Sequence, residues 1–177
     1  MRAKKLVATT ALCLAVGTSL FGQDKPAPNA LRRPGETTFF SFVTRSGKTV
    51  ALCEGPKGAY LVYRFGTAAK VELQYPAILD ASSWQKFTYF RYTRGGGLAN
   101  AGRSEYRLSF RNGKVNYELY DMEHAEADKD GDEIYLRDVG ITVADGVDIS
   151  GKNSTVRGSL YLDSEERERV TMSEESF

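Results

Sequence analysis

Between Thr37 and Val143, apolar and polar residues alternate in short runs with a period of two. That spacing puts every second side chain on one face of a β-strand. The clearest runs lie between Phe87 and Tyr120. Phe87, Tyr89 and Arg91 alternate with Thr88, Phe90 and Tyr92; Tyr106, Leu108 and Phe110 with Arg107, Ser109 and Arg111; Val115, Tyr117 and Leu119 with Asn116, Glu118 and Tyr120. Asn112-Gly113 offers the positive-φ pair of a type I′ turn and predicts a hairpin between the last two strands. The junction before them, Gly95 to Gly102, is longer and looser than a hairpin needs.

Further runs predict strands over Thr37–Thr44, Thr49–Cys53, Ala59–Phe65, Val71–Tyr75 and Ile134–Val143, with a shorter one within Ser154–Leu162. Pro76 must end the fourth strand, because proline brings no N–H to a ladder. Gly140 is expected at a bulge, and Asp145-Gly146 at a turn. Trp84 falls where the alternation lapses, between Ala77 and Lys86, and is expected to cap one end of the core. Eight or nine short strands separated by turn signals point to an all-β fold, either an antiparallel β-sandwich or a small closed barrel. The chain's 177 residues suit one domain. Residues 37–162 are read as that β domain, and 163–177 as a short helical turn behind an Asp or Ser cap, followed by a frayed tail.

The first residues follow a different logic. Arg2, Lys4 and Lys5 precede an uncharged apolar run from Leu6 to Leu20, and Gly22 supplies a small residue after it. This is the layout of a secretory signal peptide over residues 1–22, cleaved near Gly22, and it predicts a periplasmic or secreted protein with no membrane span after cleavage. Residues 23–36, with Pro26, Pro28 and Pro34 and no apolar period, read as an extended linker. Cys13 leaves with the signal, so the mature chain has no internal disulfide and relies on core burial. The setting of Cys53, Val50-Ala51-Leu52-Cys53, favours its burial.

Cleavage takes three positive charges from the formal +1 and leaves −2. A near-neutral domain lacks the basic excess of a general nucleic-acid binder. Ser46-Gly47-Lys48-Thr49 imitates a phosphate loop, but Phe42 stands where that loop needs its first glycine, and strands flank it on both sides. Asp128, Asp130 and Asp132 imitate the start of a calcium loop and are weak metal candidates, since Glu133 and Val139 replace the required glycine and glutamate. His124 is the sole histidine, and no nucleophile elbow, zinc-protease or Cys-His signature accompanies it. The chain calls for no cofactor and no catalytic residue.

The remaining cluster surrounds the glycine loop: Arg91, Tyr92, Arg94, Gly95, Gly96, Gly97, Asn100 and Arg103. Guanidinium forks hold carboxylates or phosphates, aromatic faces stack, and glycines admit a ligand to the backbone. The plain alternative is a solvated sheet face with a relaxed turn.

Leu61-Val62-Tyr63-Arg64-Phe65-Gly66, Val71-Glu72-Leu73-Gln74-Tyr75-Pro76 and Arg94-Gly95-Gly96-Gly97 with Asn100-Ala101-Gly102 resemble blocks of a family of small exported β-proteins of Gram-negative bacteria. The resemblance covers about half the mature chain. It implies a periplasmic β domain and transfers no activity and no functional residues. Periplasmic lysozyme inhibitors are similar in size and architecture, although their Ser-Gly-x-x-Tyr block is missing here. The expectation is a monomer-sized, non-enzymatic binding protein, an inhibitor or immunity-type module for a cell-wall enzyme, with a protein or anionic glycan as partner. The alternatives are a glycan hydrolase with unrecognised carboxylates and a structural envelope protein.

Overall fold

A computed structural model describes residues 30–144 and 146–175. The signal segment, Cys13, most of the expected linker and Asp145 lie outside the described residues. The fold is mostly β, with eleven strands in two sheets among the described residues. In chain order they are β1 (Thr37–Val43), β2 (Thr49–Glu54), β3 (Leu61–Thr67), β4 (Lys70–Tyr75), β5 (Thr88–Arg94), β6 (Arg103–Asn112), β7 (Val115–Ala127), β8 (Glu133–Val143), β9 (Val147–Ser150), β10 (Arg157–Gly158) and β11 (Thr171–Met172). The first sheet has the order β10-β1-β2-β3-β4 and the second β11-β5-β6-β7-β8-β9; among the described residues neither closes into a barrel. All pairings are antiparallel except that of β11 with β5, which is parallel.

Period-two patterning explains why the sheets share one core. Phe40, Phe42, Val50, Leu52, Leu61 and Tyr63 come from the first sheet, and Tyr89, Leu108, Phe110, Leu119, Val139 and Ile141 from the second; all twelve are buried in a single cluster. Phe110 is stacked between Tyr75, at 4.5 Å, and Tyr117, at 4.8 Å, while Phe87 meets it edge-on at 5.6 Å. Trp84 is buried in a 3₁₀ turn over Ala81–Lys86 and donates its indole N–H to Gly58 O at 3.1 Å. Cys53 is buried as well.

β2 and β3 are also buried on their other face. Ala51, Cys53 and Val62 pack there with Leu31, and beside them Arg64 meets Glu36 with both side chains fully shielded from solvent. Nη1 and Nη2 of Arg64 hold the two carboxylate oxygens of Glu36 at 2.7 and 2.8 Å; Nε donates to Gln74 at 3.0 Å and Nη1 also to Leu31 O at 3.2 Å. Glu36 accepts further bonds from the Arg33 N–H at 2.8 Å and the Tyr60 hydroxyl at 3.0 Å. The extended linker expected through Glu36 is therefore corrected from Leu31 onward: those residues form a strap on the first sheet.

Four local expectations also change. The β6–β7 turn is Gly113-Lys114, because Asn112 still pairs with Val115. Gly113 alone has positive φ, at 62°, as the first central residue of a type II′ turn requires. Gly140 makes no bulge, and the register runs from Leu119↔Ile141 through Tyr120↔Gly140 to Asp121↔Val139 without a break. A Cβ at 140 would overlap the Tyr120 ring, so glycine is there to admit the ring. The strand expected within Ser154–Leu162 shrinks to β10, although Leu160 and Leu162 beyond it are buried. Asp163 caps the helical turn α1 (Ser164–Arg167) in a capping box with Glu166. The tail expected to fray instead buries Val170 and adds β11 to β5.

Removing one partner of the shielded ion pair strands the other charge, so Arg64→Ala should cost about 3–5 kcal/mol in urea denaturation, and the double replacement Arg64→Met with Glu36→Leu markedly less. Burial pushes the Glu36 carboxyl up, but the hydrogen bonds from Arg64, Arg33 and Tyr60 and the Arg64 charge outweigh it and hold the group below the ordinary glutamate value. Its stabilising contribution is thus complete at neutral pH and is lost as pH falls from the ordinary range through the lowered folded value. Glu36→Gln should flatten that acid limb of the stability curve.

Candidate functional site

The strap, with Tyr60 and Leu79, covers much of the outer face of the first sheet, whereas the outer face of the second is open. Strand register assigns residues to it. Phe90, Tyr92 and Arg94 of β5 stand beside Arg107, Glu105 and Arg103 of β6, and these beside Tyr120, Met122 and His124 of β7. Tyr92, Arg94 and Arg103, three of the residues singled out from sequence, therefore share a face. Arg91 does not: it points to the other side of the sheet, where its guanidinium lies 5.9 Å from the Tyr161 ring.

On the open face, cations and rings interleave. The Arg103 guanidinium lies 5.1 Å from the centre of the Tyr92 ring, and that of Arg107 lies 5.2 Å from the Phe90 ring. Such contacts are electrostatic attractions to the negative face of the ring. Glu105, with a side chain only 3% exposed, ion-pairs with both Arg103 and Arg107, which are 51% and 40% exposed. Arg107 also reaches Glu118 at 3.7 Å. Glu105, Arg107 and Phe90 were not among the candidate binding residues read from sequence, although Arg103, Glu105 and Arg107 stand two apart and the period alone puts them on one face.

Arg94 is the exception to this pairing. It lies directly opposite Arg103 across the strands, is exposed, and its side chain makes no hydrogen bond, ion pair or ring contact with any described residue. Like charges directly opposite one another in a sheet repel. Beside the cluster a cavity of about 520 Å³ is lined by Arg103, Glu105, Arg107, Met122 and His124. Charge is uneven across the face: beyond β7 stand Asp138 of β8, which also lines this cavity, and Asp148 of β9. There the Tyr120 hydroxyl donates to Asp148 at 2.9 Å, its pKa pushed up to about 12 by burial and by that carboxylate.

The glycine loop is better braced than its composition suggests. Leu98–Asn100 forms a 3₁₀ turn; the Asn100 side-chain amide donates to Gly95 O at 3.0 Å and the Gly102 N–H to Gly97 O at 2.7 Å. The Ala125 N–H ties the loop to β7 through Gly102 O at 2.8 Å. The Leu98 N–H donates to the carboxylate of Glu133, at the start of β8. Gly97, at φ 54°, is where an added Cβ would collide with that carboxylate. A loop amide suited to an external anion is thus occupied by the chain's own Glu133, and the exposed cations of the sheet face make the stronger candidate.

The other motifs resolve into turns. Gly47, at φ 84°, lies in the β1–β2 hairpin, where its N–H donates to Thr44 O at 3.0 Å. Asp128 accepts the backbone N–H groups of Asp130 and Asp132, each at 2.9 Å, within the β7–β8 turn, and Asp130 pairs with Lys129 at 2.5 Å. Among the described residues no three His, Cys, Asp or Glu side chains converge on a metal position. His124 contacts Glu126 at 3.0 Å on the surface. Comparison with protein-family models, with curated proteins and with solved structures gives no match to this chain.

Gly97→Ala should be destabilising by about 1–3 kcal/mol, because that backbone region is nearly closed to other residues and the Glu133 carboxylate would have to move. Hydrogen exchange at the Leu98 amide should accelerate in the variant; an unchanged rate there would mean that Glu133 does not brace the loop.

Proposed function

We propose that the chain is an exported, non-enzymatic binding protein, a β-sandwich that takes an anionic partner on the outer face of its second sheet. Exposed Arg94, set opposite Arg103 without a counter-charge, is the observation that carries this reading. A surface arginine with no partner loses little on its own, but two guanidinium groups held across a strand pair are a ready fork for a carboxylate. Phe90 and Tyr92 orient Arg107 and Arg103, and Glu105 fixes their spacing from beneath. Such a face is built before the partner arrives, which lowers the ordering cost of binding. A regulator of a cell-wall enzyme fits the signal-like amino terminus and the absence of a catalytic signature in the sequence.

Arg94→Glu should abolish capture of an acidic partner from periplasmic extract while leaving the melting temperature within about 1–2 °C, as befits an exposed side chain without contacts. Binding through exposed arginines should also weaken steadily as ionic strength rises. Capture that survives Arg94→Glu, or turnover of a wall fragment by the protein itself, would overturn the proposal.

A further inference from the structure

The edge of the second sheet beside this face is only partly covered. β11 pairs with β5 at Thr171↔Thr88 and Met172↔Tyr89 and nowhere else. The Thr171 N–H donates to Phe87 O at 3.1 Å and the Ser173 N–H to Tyr89 O at 2.8 Å, so the backbone groups of alternate residues, 87, 89, 91 and 93, point outward. Glu174 and Glu175 then enter a turn. From Phe90 to Arg94 no described strand lies beside β5 on that side. Five residues span about 17 Å, the length of an ordinary strand.

We propose that this bare edge is completed by strand addition: an extended, acidic segment of a partner protein pairs with the outward N–H and C=O groups of Arg91 and Thr93. The inference rests on the anion-binding reading above and names its partner class. Three observations favour this occupant. The edge already accepts an added strand, β11, so a second would continue an existing ladder. Its charges are all basic, with Arg91 on one face of the sheet and Arg94, backed by Arg103, on the other. Carboxylates three positions apart in an extended segment project to opposite faces, and so reach Arg91 and Arg94 together. A second copy of this chain would instead set arginine against arginine, and a glycan has no alternating amide and carbonyl groups to offer Arg91 and Thr93. Strand addition takes affinity from main-chain bonds and specificity from the flanking side chains.

The test uses the full protein and a fluorescent peptide of about ten residues, repeating Thr-Glu-Val, with two controls. One is the same peptide N-methylated at alternate residues; the other is an acidic oligosaccharide, oligogalacturonate. The plain peptide should bind, slow hydrogen exchange at the Arg91 and Thr93 amides, and lose about tenfold or more in affinity on N-methylation. Thr93→Pro, which removes one outward donor at an edge that tolerates proline, should weaken binding comparably, and Arg94→Glu should abolish it. Failure of the plain peptide to bind, or equal binding of the methylated peptide with no protection at Arg91 and Thr93, overturns strand addition. If oligogalacturonate or the methylated peptide still binds in an Arg94-dependent way, the anion-binding face stands without the added strand. If no probe depends on Arg94, both readings fall.

Discussion

A guanidinium group with no access to water has to find a partner for nearly every N–H it carries, and the position of Arg64 imposes that demand in the middle of the first sheet. β3 places it there because Leu61 and Tyr63 must face the shared core, which turns Val62 and Arg64 to the opposite side. Its donors are met by residues from two parts of the chain: Glu36 and Leu31 from the strap and Gln74 from β4. Burying such a pair costs much of what the pairing returns. Its structural effect is directional. The observed placement of residues 31–36 brings the Glu36 carboxylate into a two-pronged contact with Arg64 while Tyr60 and the Arg33 amide supply its other bonds.

The strap makes the molecule two-sided. With Leu31 and Glu36 over β2 and β3, the first sheet is covered there on both faces, and the second has one face in the core and one in solvent. The solvent face is not uniformly polar. Its β5 and β6 portion carries interleaved rings and guanidinium groups, while acidic residues gather toward β8 and β9. Glu105 matters to this arrangement, because a nearly buried carboxylate between Arg103 and Arg107 neutralises part of their repulsion and holds them over Tyr92 and Phe90. Arg94 has no such counterweight.

Much of the fold was legible because a strand with one buried face writes its period directly into the sequence. The β5–β6–β7 unit, the β1–β2 turn, the burial of Trp84 and Cys53 and the Asp163 cap follow from alternation, punctuation and capping chemistry alone. The two-residue strand β11 was not legible, and β10 only as part of a longer expected strand, since two residues carry no period. The strap was hidden for a different reason: a polar, proline-bearing stretch resembles a linker, and its one cue sits elsewhere, in the charge of Arg64 inside the apolar run Leu61-Val62-Tyr63-Arg64-Phe65. Gly140 misled because a glycine within a strand signals either a bulge or a neighbour's ring, and only the cross-strand partner, Tyr120, decides between them.

The same distinction governs the glycine loop. Three consecutive glycines read as freedom, but here positive φ at Gly96 and Gly97 lets the chain double back so that Asn100, Gly102 and Glu133 can tie it down. A braced loop joining β5 to β6 keeps the ends of those strands in register and so holds Arg94 opposite Arg103. The glycines thus serve the candidate site through the backbone geometry of the loop. Their conformational freedom is spent on fixing the strands that carry the charges.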